Sequence, residues 1–207
     1  MDNLWASTKQ LITKAGGASE LLEHDVIIQT LIKLPNGRVI ECYRCRHNGR
    51  RGPYKGGIRM ADYADLDECK ALSALMSLKC AVNNLPLGGG KGIIIADPKT
   101  LTRFERDYLF HELGKAWGTQ GCDCPAPDVN TNGADMTAFA YASGPEWVTG
   151  KPVGKGGLRL REFSTGWGTA WHAIWQLDKN KTYMRYPTAI VEGFGNCGQY
   201  AAQMLHT

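Results

Sequence analysis

No apolar run in the chain approaches the roughly 20 residues needed to cross a bilayer, which excludes a membrane-spanning helix. The opening, MDNLWASTKQ, lacks a basic region followed by an apolar segment, so no secretory leader and a cytoplasmic location are expected. Basic residues do not cluster with interleaved aromatics, and a net charge of +4 is modest, so neither nucleic acid nor a membrane is indicated as a partner. Internal repeats and low-complexity segments are absent. The seven cysteines are an odd number, which fits a reducing compartment better than a disulfide framework. Cys42 and Cys45 form a C-x-x-C, with Cys122 and Cys124 far downstream. That second pair has C-x-C spacing and no histidine pair follows, so buried or strand cysteines are the better reading and no metal is expected.

Glycine, by contrast, is plentiful, with 25 residues. The densest stretch is Leu87 to Ala96, LGGGKGIIIA. Glycine permits close approach that side chains forbid. A glycine-rich loop there would deliver Lys91 into a dry place, where burial disfavours its charged form and tunes it for acid–base work near neutral pH. A solvated lysine on a flexible loop is the other reading. A phosphate loop is excluded by spacing, since G-x-x-x-x-G-K-[ST] is missing and an apolar run follows the glycines where a P-loop has a helix.

The 207 residues suffice for one domain, or one domain and part of another. Asn3 to Ala15 reads as a helix with Leu4, Leu11 and Ile12 on one side. Val26 to Leu34 and Arg38 to Tyr43 read as strands of a hairpin about the turn Pro35-Asn36-Gly37. RHNGRRGPYKGGIRM then reads as a polar pocket loop that brings Lys55 close to whatever it faces. Asp65 and Glu68 have capping-box spacing and open a helix to about Val82. On it Leu72, Leu75, Met76 and Lys79 share a face. A lysine on an apolar stripe either snorkels out or pairs with an anion.

Gly92 to Ala96 reads as a short buried strand after the Lys91 loop. Thr102 and Glu105 form a second capping box, for a helix to about Trp117. CDCPAPDVNTNGADM reads as a rigid irregular loop carrying Asp128. Loop aspartates commonly make turns or caps, but the next helix, Ala134 to Ala142, begins too late for Asp128 to cap it. Gly144 to Gly157 is a boundary, and Thr165 to Leu177 a helix. Thr188 to Val191 reads as a strand leading into Gly193-Phe194-Gly195-Asn196-Cys197-Gly198 and a helix. GxGxxG between a strand and a helix is a dinucleotide fingerprint, with the pyrophosphate over the helix N-terminus. A strand–helix turn without a ligand is the bland alternative.

In this order, RHNGRRGPYKGGIRM, LSALMSLKCAV, LPLGGGKGIII, PAPDVNTN, TGKPV and GFGNCGQYAA resemble the glutamate/leucine/phenylalanine/valine dehydrogenase family, and its glutamate branch above all. The resemblance implies NAD(P)-dependent, reversible oxidative deamination of L-glutamate to 2-oxoglutarate and ammonia. It implies that Lys55 pairs with the side-chain carboxylate and Lys79 with the α-carboxylate, with Met76 and Pro127 in the substrate pocket. By the same resemblance Lys91 is the catalytic lysine and Asp128 the proton-shuttling acid. Thr165 lies by the nicotinamide, and Gly193, Gly195, Asn196 and Gly198 form the cofactor turn. The cofactor is NAD or NADP, and self-association, to a hexamer in the full-length form, is implied. A leucine/phenylalanine-type dehydrogenase is the runner-up, disfavoured because those enzymes carry an apolar residue where Lys55 stands.

The implied fold is α/β. Residues 1–150 form a substrate-binding and oligomerisation domain with a mixed sheet flanked by helices. Residues 151–207 form a junction and the first βα unit of a Rossmann-type domain. Leu158 and Leu160 stand where the family carries small residues. Family members continue for about as many residues again, so either a fragment of an active enzyme or an inactive truncated homologue that binds or assembles is expected. A lone βα unit should leave an apolar helix face uncovered.

Overall fold

The computed structural model describes residues 3–118, 121–180 and 188–206. It divides into two compact units, Met1–Lys155 and Gly156–Thr207.

The first unit contains α1 (Leu4–Lys14), β1 (Val26–Lys33), β2 (Val39–Asn48), β3 (Tyr54–Met60), α2 (Leu66–Val82), β4 (Gly88–Ile94), α3 (Arg103–Trp117), β5 (Asp123–Pro127) and α4 (Gly133–Ser143). The strands form one mixed sheet in the order β1-β2-β4-β3-β5. β2 runs antiparallel to both β1 and β4, while β3 is parallel to both β4 and β5. One face packs on α3 and α4 through Ile40, Ile58, Met60, Ile94, Leu109, Phe110, Leu113 and Phe139. The other face packs on α2, and α1 packs on α2 in turn through Trp5, Ile12, Ala71 and Ala74.

Two stretches expected as loops are strands. The glycines before Lys91 belong to β4, which is buried along its whole length. Intrinsic propensity counts glycine against a strand, but at Gly89 α2 lies too close for any side chain. A Cβ on Gly89 would run into Ser77 and the Ser73 carbonyl. The helix reciprocates with a buried face of small residues, Ala71, Ser73, Ala74, Ser77 and Cys80. The stripe read for α2 is therefore displaced: Leu75 is 45 % exposed and Lys79 is exposed, because small residues make the contact. The second stretch is RHNGRRGPYKGGIRM. β2 continues through it to Asn48, and Tyr54–Met60 forms β3.

CDCPAP is likewise a strand, β5, and not an irregular loop. Its prolines are tolerated because β5 lies at the sheet edge, where a missing N–H costs no ladder bond. A buried ion cluster ties this edge inward across two intervening strands. Arg44 on β2, fully buried, donates from Nε to Asp123 Oδ2 at 2.9 Å and from Nη1 to the Gly56 carbonyl at 3.2 Å. Arg46 donates to the same Asp123 oxygen at 2.9 Å. Gly90 leaves room for this crossing, since a Cβ there would stand 3.1 Å from Arg44 Nη2.

On α1 the buried residues are Trp5, Thr8 and Ile12, while Leu4 and Leu11 are exposed, so only Ile12 of the expected face is inside. Cys42 and Cys45 lie in separate core clusters on opposite faces of β2, as residues three apart on a strand must. Among the described residues no cluster of His, Cys, Asp or Glu is arranged to hold a metal, and no helix is long and apolar enough to cross a membrane.

In the second unit α5 (Leu160–Lys179) packs on α6 (Asn196–His206). Gly166 makes the approach possible: a Cβ there would stand 2.5 Å from the Cys197 carbonyl oxygen. Trp167, Trp171 and Trp175, one helical turn apart, are 39 %, 58 % and 53 % exposed, which is the uncovered apolar face anticipated above. Leu158 and Leu160 are also exposed. Residues 188–191 have no strand pairing among the described residues, so the strand expected there is not formed. A strand needs a neighbour to complete its hydrogen bonds.

Candidate active site

Alternation along three adjacent strands builds the site. The pairs Lys55↔Gly89, Arg59↔Ile93, Lys55↔Cys124 and Gly57↔Ala126 put Lys55, Gly57 and Arg59 on the face that carries Gly89, Lys91 and Ile93. Asp128 follows β5 on the same side. This is the face covered by α2, as Ser77 against Gly89 shows.

Lys91, opposite Cys45 in mid-strand, is only 6 % exposed. Its ammonium donates to Oδ2 of Asp128 in a close ion pair. Gly57 opens the space between them, because a Cβ there would stand 2.7 Å from the Asp128 Cβ. Burial pushes the Lys91 ammonium below the ordinary lysine value. Asp128 pulls it back up, and Arg59 adds to the lowering. Burial alone would raise the Asp128 carboxyl, but Lys91 and Arg59 outweigh it and hold it below the usual carboxylate range. An ionised aspartate thus faces a lysine biased toward losing its proton.

The backbone after β5 is fastened to the end of β3. The Asp128 amide donates to Thr131 Oγ1 at 2.8 Å, and that hydroxyl donates to the Ile58 carbonyl at 2.7 Å. Asn130, with φ of 59°, donates to the Met60 carbonyl at 3.0 Å. Asn132 caps α4 in a reciprocal box with Asp135, so Asp128 has no capping role. Asn130 and Thr131 therefore serve to hold the backbone at Asp128.

Arg59 escaped the sequence reading, and Glu68 was read only as the capping-box partner of Asp65, whereas its carboxylate turns to Arg59. Arg59 Nε donates to the same Asp128 oxygen at 3.2 Å, and its Nη1 donates to Glu68 in the first turn of α2. Strand alternation from Lys55 would have put Arg59 on the Lys55 face; the local spacing that marks Glu68 points to a cap and not to Arg59.

Lys55 is half-buried on this face, and Lys79 lies near the C-terminal end of α2. Both act electrostatically on the Cys80 thiol, opposing the rise that burial causes there. Met76 is half-buried one turn before Cys80. Pro127 falls on the alternate face, with its ring against Gly150, so its side chain does not join Lys91. A groove of about 740 Å³ on α3 and α4, lined by Phe104, Tyr108, His111 and Tyr141 among others, contains none of these residues.

The second unit carries the glycine turn. Gly193 has φ of 79°. A Cβ on Gly195 would meet nothing within 4 Å, whereas one on Gly198 would collide with the Gly193 carbonyl and stand 3.3 Å from a Val191 methyl. Asn196 opens α6 and donates to the Glu162 carbonyl at 2.6 Å. Thr165 is exposed on α5, where its carbonyl accepts from Thr169.

The first face can hold and move protons between a buried lysine and an ionised aspartate, with further cations to either side. The Glu/Leu/Phe/Val dehydrogenase dimerisation domain matches residues 23–143. The catabolic NAD-specific glutamate dehydrogenase RocG of Bacillus subtilis is 35 % identical over 99 % of this chain and 53 % of its own length. Glutamate dehydrogenase of Thermotoga maritima is 42 % identical over 87 % of this chain and 46 % of its own length. The chain thus spans about half the length of these relatives. The crystal structure of hetero-hexameric glutamate dehydrogenase from Thermus thermophilus, in its leucine-bound form, superposes over 100 % of this chain and 55 % of its own, with a TM-score of 0.87 and 28 % identity.

Proposed function

Because the chain belongs to the Glu/Leu/Phe/Val dehydrogenase family, we propose that residues 1–150 are the substrate-binding part of an NAD(P)-dependent glutamate dehydrogenase and that residues 151–207 open its nucleotide-binding part. The observation that carries this reading is the Lys91–Asp128 ion pair on the sheet face that also bears Lys55. The curated relatives quoted above are glutamate dehydrogenases, which supports glutamate over leucine or phenylalanine as the substrate.

The residues of the glycine turn fit a dinucleotide. Gly193 makes the tight turn, Gly195 leaves the backbone open to a pyrophosphate, and Gly198 lets the helix close on the preceding segment. Gly193, Gly195, Asn196 and Gly198 would hold it, with Thr165 toward the nicotinamide. When bound, NAD or NADP supplies the hydride acceptor.

In this mechanism Lys79 takes the α-carboxylate of glutamate and Lys55 its side-chain carboxylate, which fixes Cα in place. Met76 walls the pocket, and Pro127 contributes through its backbone position next to Asp128. Asp128, ionised, accepts the proton from the substrate ammonium. Loss of hydride from Cα leaves a substrate iminium. Lys91, as the neutral amine, takes a proton from the water that attacks Cα. Asp128 returns its proton to the nitrogen, which leaves as ammonia, and the freed Asp128 carboxylate takes the hydroxyl proton as the carbonyl of 2-oxoglutarate forms, while Lys91 keeps the proton it took from water.

Self-association belongs to the same proposal. The matched region is a dimerisation domain, and the Thermus relative is a hexamer. A cytoplasmic setting agrees with seven cysteines that stand as free thiols. The test uses the complete protein that carries these residues, assayed for glutamate-dependent reduction of NAD or NADP. Asp128→Asn should lower kcat by about 10²–10⁴-fold with little change in fold. Wild-type kcat in the Asp128→Asn protein overturns the assignment of Asp128.

A further inference from the structure

We propose that Arg59, tethered by Glu68, is a positioning residue that fixes Asp128 against Lys91 and sets which member of that pair carries the proton. The inference rests on the dehydrogenase reading of the pair. It extends that reading to a guanidinium that need not touch substrate.

The geometry is specific. Lys91 Nζ and Arg59 Nε converge on one oxygen, Oδ2 of Asp128. Arg59 reaches that oxygen from β3 while its Nη1 is held from the opposite layer by Glu68. Glu68 is itself fixed: its amide donates to the N-cap Asp65 at 2.7 Å. The guanidinium is thus clamped between helix and strand, with both partner side chains mostly buried. A guanidinium stays charged at every pH a protein survives. It therefore acts as a constant positive charge on a pair whose two members exchange a proton.

A fixed cation beside the pair favours the aspartate anion and opposes the ammonium. Arg59 contributes in both of those directions, beside the larger effects of burial and of the pair on itself. Among the described residues, Lys55 on β3 shares this face and is a further cation toward the pair. Cys69 from α2 donates its thiol to the Lys91 carbonyl at 3.3 Å, and Cys45 is the β2 neighbour of Lys91. Glu68 acts through Arg59. Removing Arg59 shifts the balance that burial and Asp128 set on Lys91 toward the ammonium, the wrong state for accepting a proton from water.

The test is a titration of the 207-residue chain labelled with ¹³C at lysine Cε, with Lys91 assigned by its loss in Lys91→Arg. Wild-type Lys91 should titrate below 10.5, the ordinary lysine value. In Arg59→Gln its midpoint should rise by about one unit, a tenfold change in proton affinity. Arg59→Lys, which keeps the charge, should titrate close to wild type. An unshifted Lys91 midpoint in a folded Arg59→Gln, or an Arg59→Lys that behaves like Gln, overturns the proposal. Wild-type Lys91 titrating at 10.5 or above overturns it without any variant. None of these readouts needs turnover. Failure of glutamate oxidation would leave them standing, and their failure would leave glutamate oxidation standing.

Discussion

Gly57 lies against Asp128, and a methyl at that glycine would stand 2.7 Å from the aspartate's Cβ. The glycine occupies the position on β3 between Lys55 and Arg59, on the face where Lys91 meets Asp128. Gly57→Ala should push Asp128 off Lys91. On the complete protein, kcat should fall by about 10²-fold, because misplacement by about an ångström costs that much. Steady-state rates with a circular dichroism control check this, and an alanine variant with unchanged kcat would show that the contact relaxes harmlessly.

Gly89→Ala addresses packing. The new methyl would meet Ser77 and the Ser73 carbonyl, both parts of a helix that cannot yield without leaving the sheet. Overpacking of this kind costs about 1–3 kcal/mol, and more where backbone must shift. Urea midpoints should show that loss for Gly89→Ala. Gly154→Ala, where a Cβ would meet nothing within 4 Å, should stay within about 0.5 kcal/mol of wild type.

Acid should loosen the contact between α1 and α2. His24 and His47 stack edge to face at 4.9 Å, and Trp5 packs on His24 at the same distance. His24 bonds Ser73 Oγ at 2.8 Å and His47 bonds Ser77 Oγ at 2.8 Å. Burial, then the charge of His47, lowers His24 from 6.5 to about 4; burial likewise lowers His47. Lys70 and Asp25 also face His24, with opposite signs. A depressed histidine is neutral in the fold and takes up a proton on unfolding. Its stabilising contribution is therefore full above about pH 6.5 and is lost as pH falls from there toward about 4. Thermal melts followed by Trp fluorescence should show melting temperature falling from pH 7 to pH 5, with a shallower fall in His24→Gln. Equal slopes in the two proteins would refute the role of His24.

Much of the fold was legible from local signals. The Pro35-Asn36-Gly37 turn joins β1 to β2, and the Thr102–Glu105 capping box opens α3. The glycine-rich and proline-rich strands were not legible, because their reasons are tertiary. Gly89 is glycine on account of Ser77, and Pro125 is permitted only at an edge. The same limit governs the site. Lys91 and Asp128 stand out by their settings in the chain, and the structure brings them into an ion pair. Arg59 resembles any arginine until the register of β3 against β4 and β5 places it beside Asp128, and Glu68 until α2 is laid over the sheet. Pro127 shows the converse: adjacent to Asp128 in sequence, it faces the other way because a strand alternates.

The most direct test of the account is the substrate preference of Lys55→Leu in the complete protein. A second carboxylate on the substrate gains a charged hydrogen-bond partner in Lys55, which an aliphatic side chain does not use. The measurement is kcat/KM for glutamate and for leucine, in wild type and variant. The account predicts a wild type that prefers glutamate, and a variant that loses about 10²-fold or more on glutamate while leucine changes little, since truncating one partner of a buried charge pair costs about 2–5 kcal/mol. A wild type that prefers leucine, or a variant that loses both substrates equally, would contradict it.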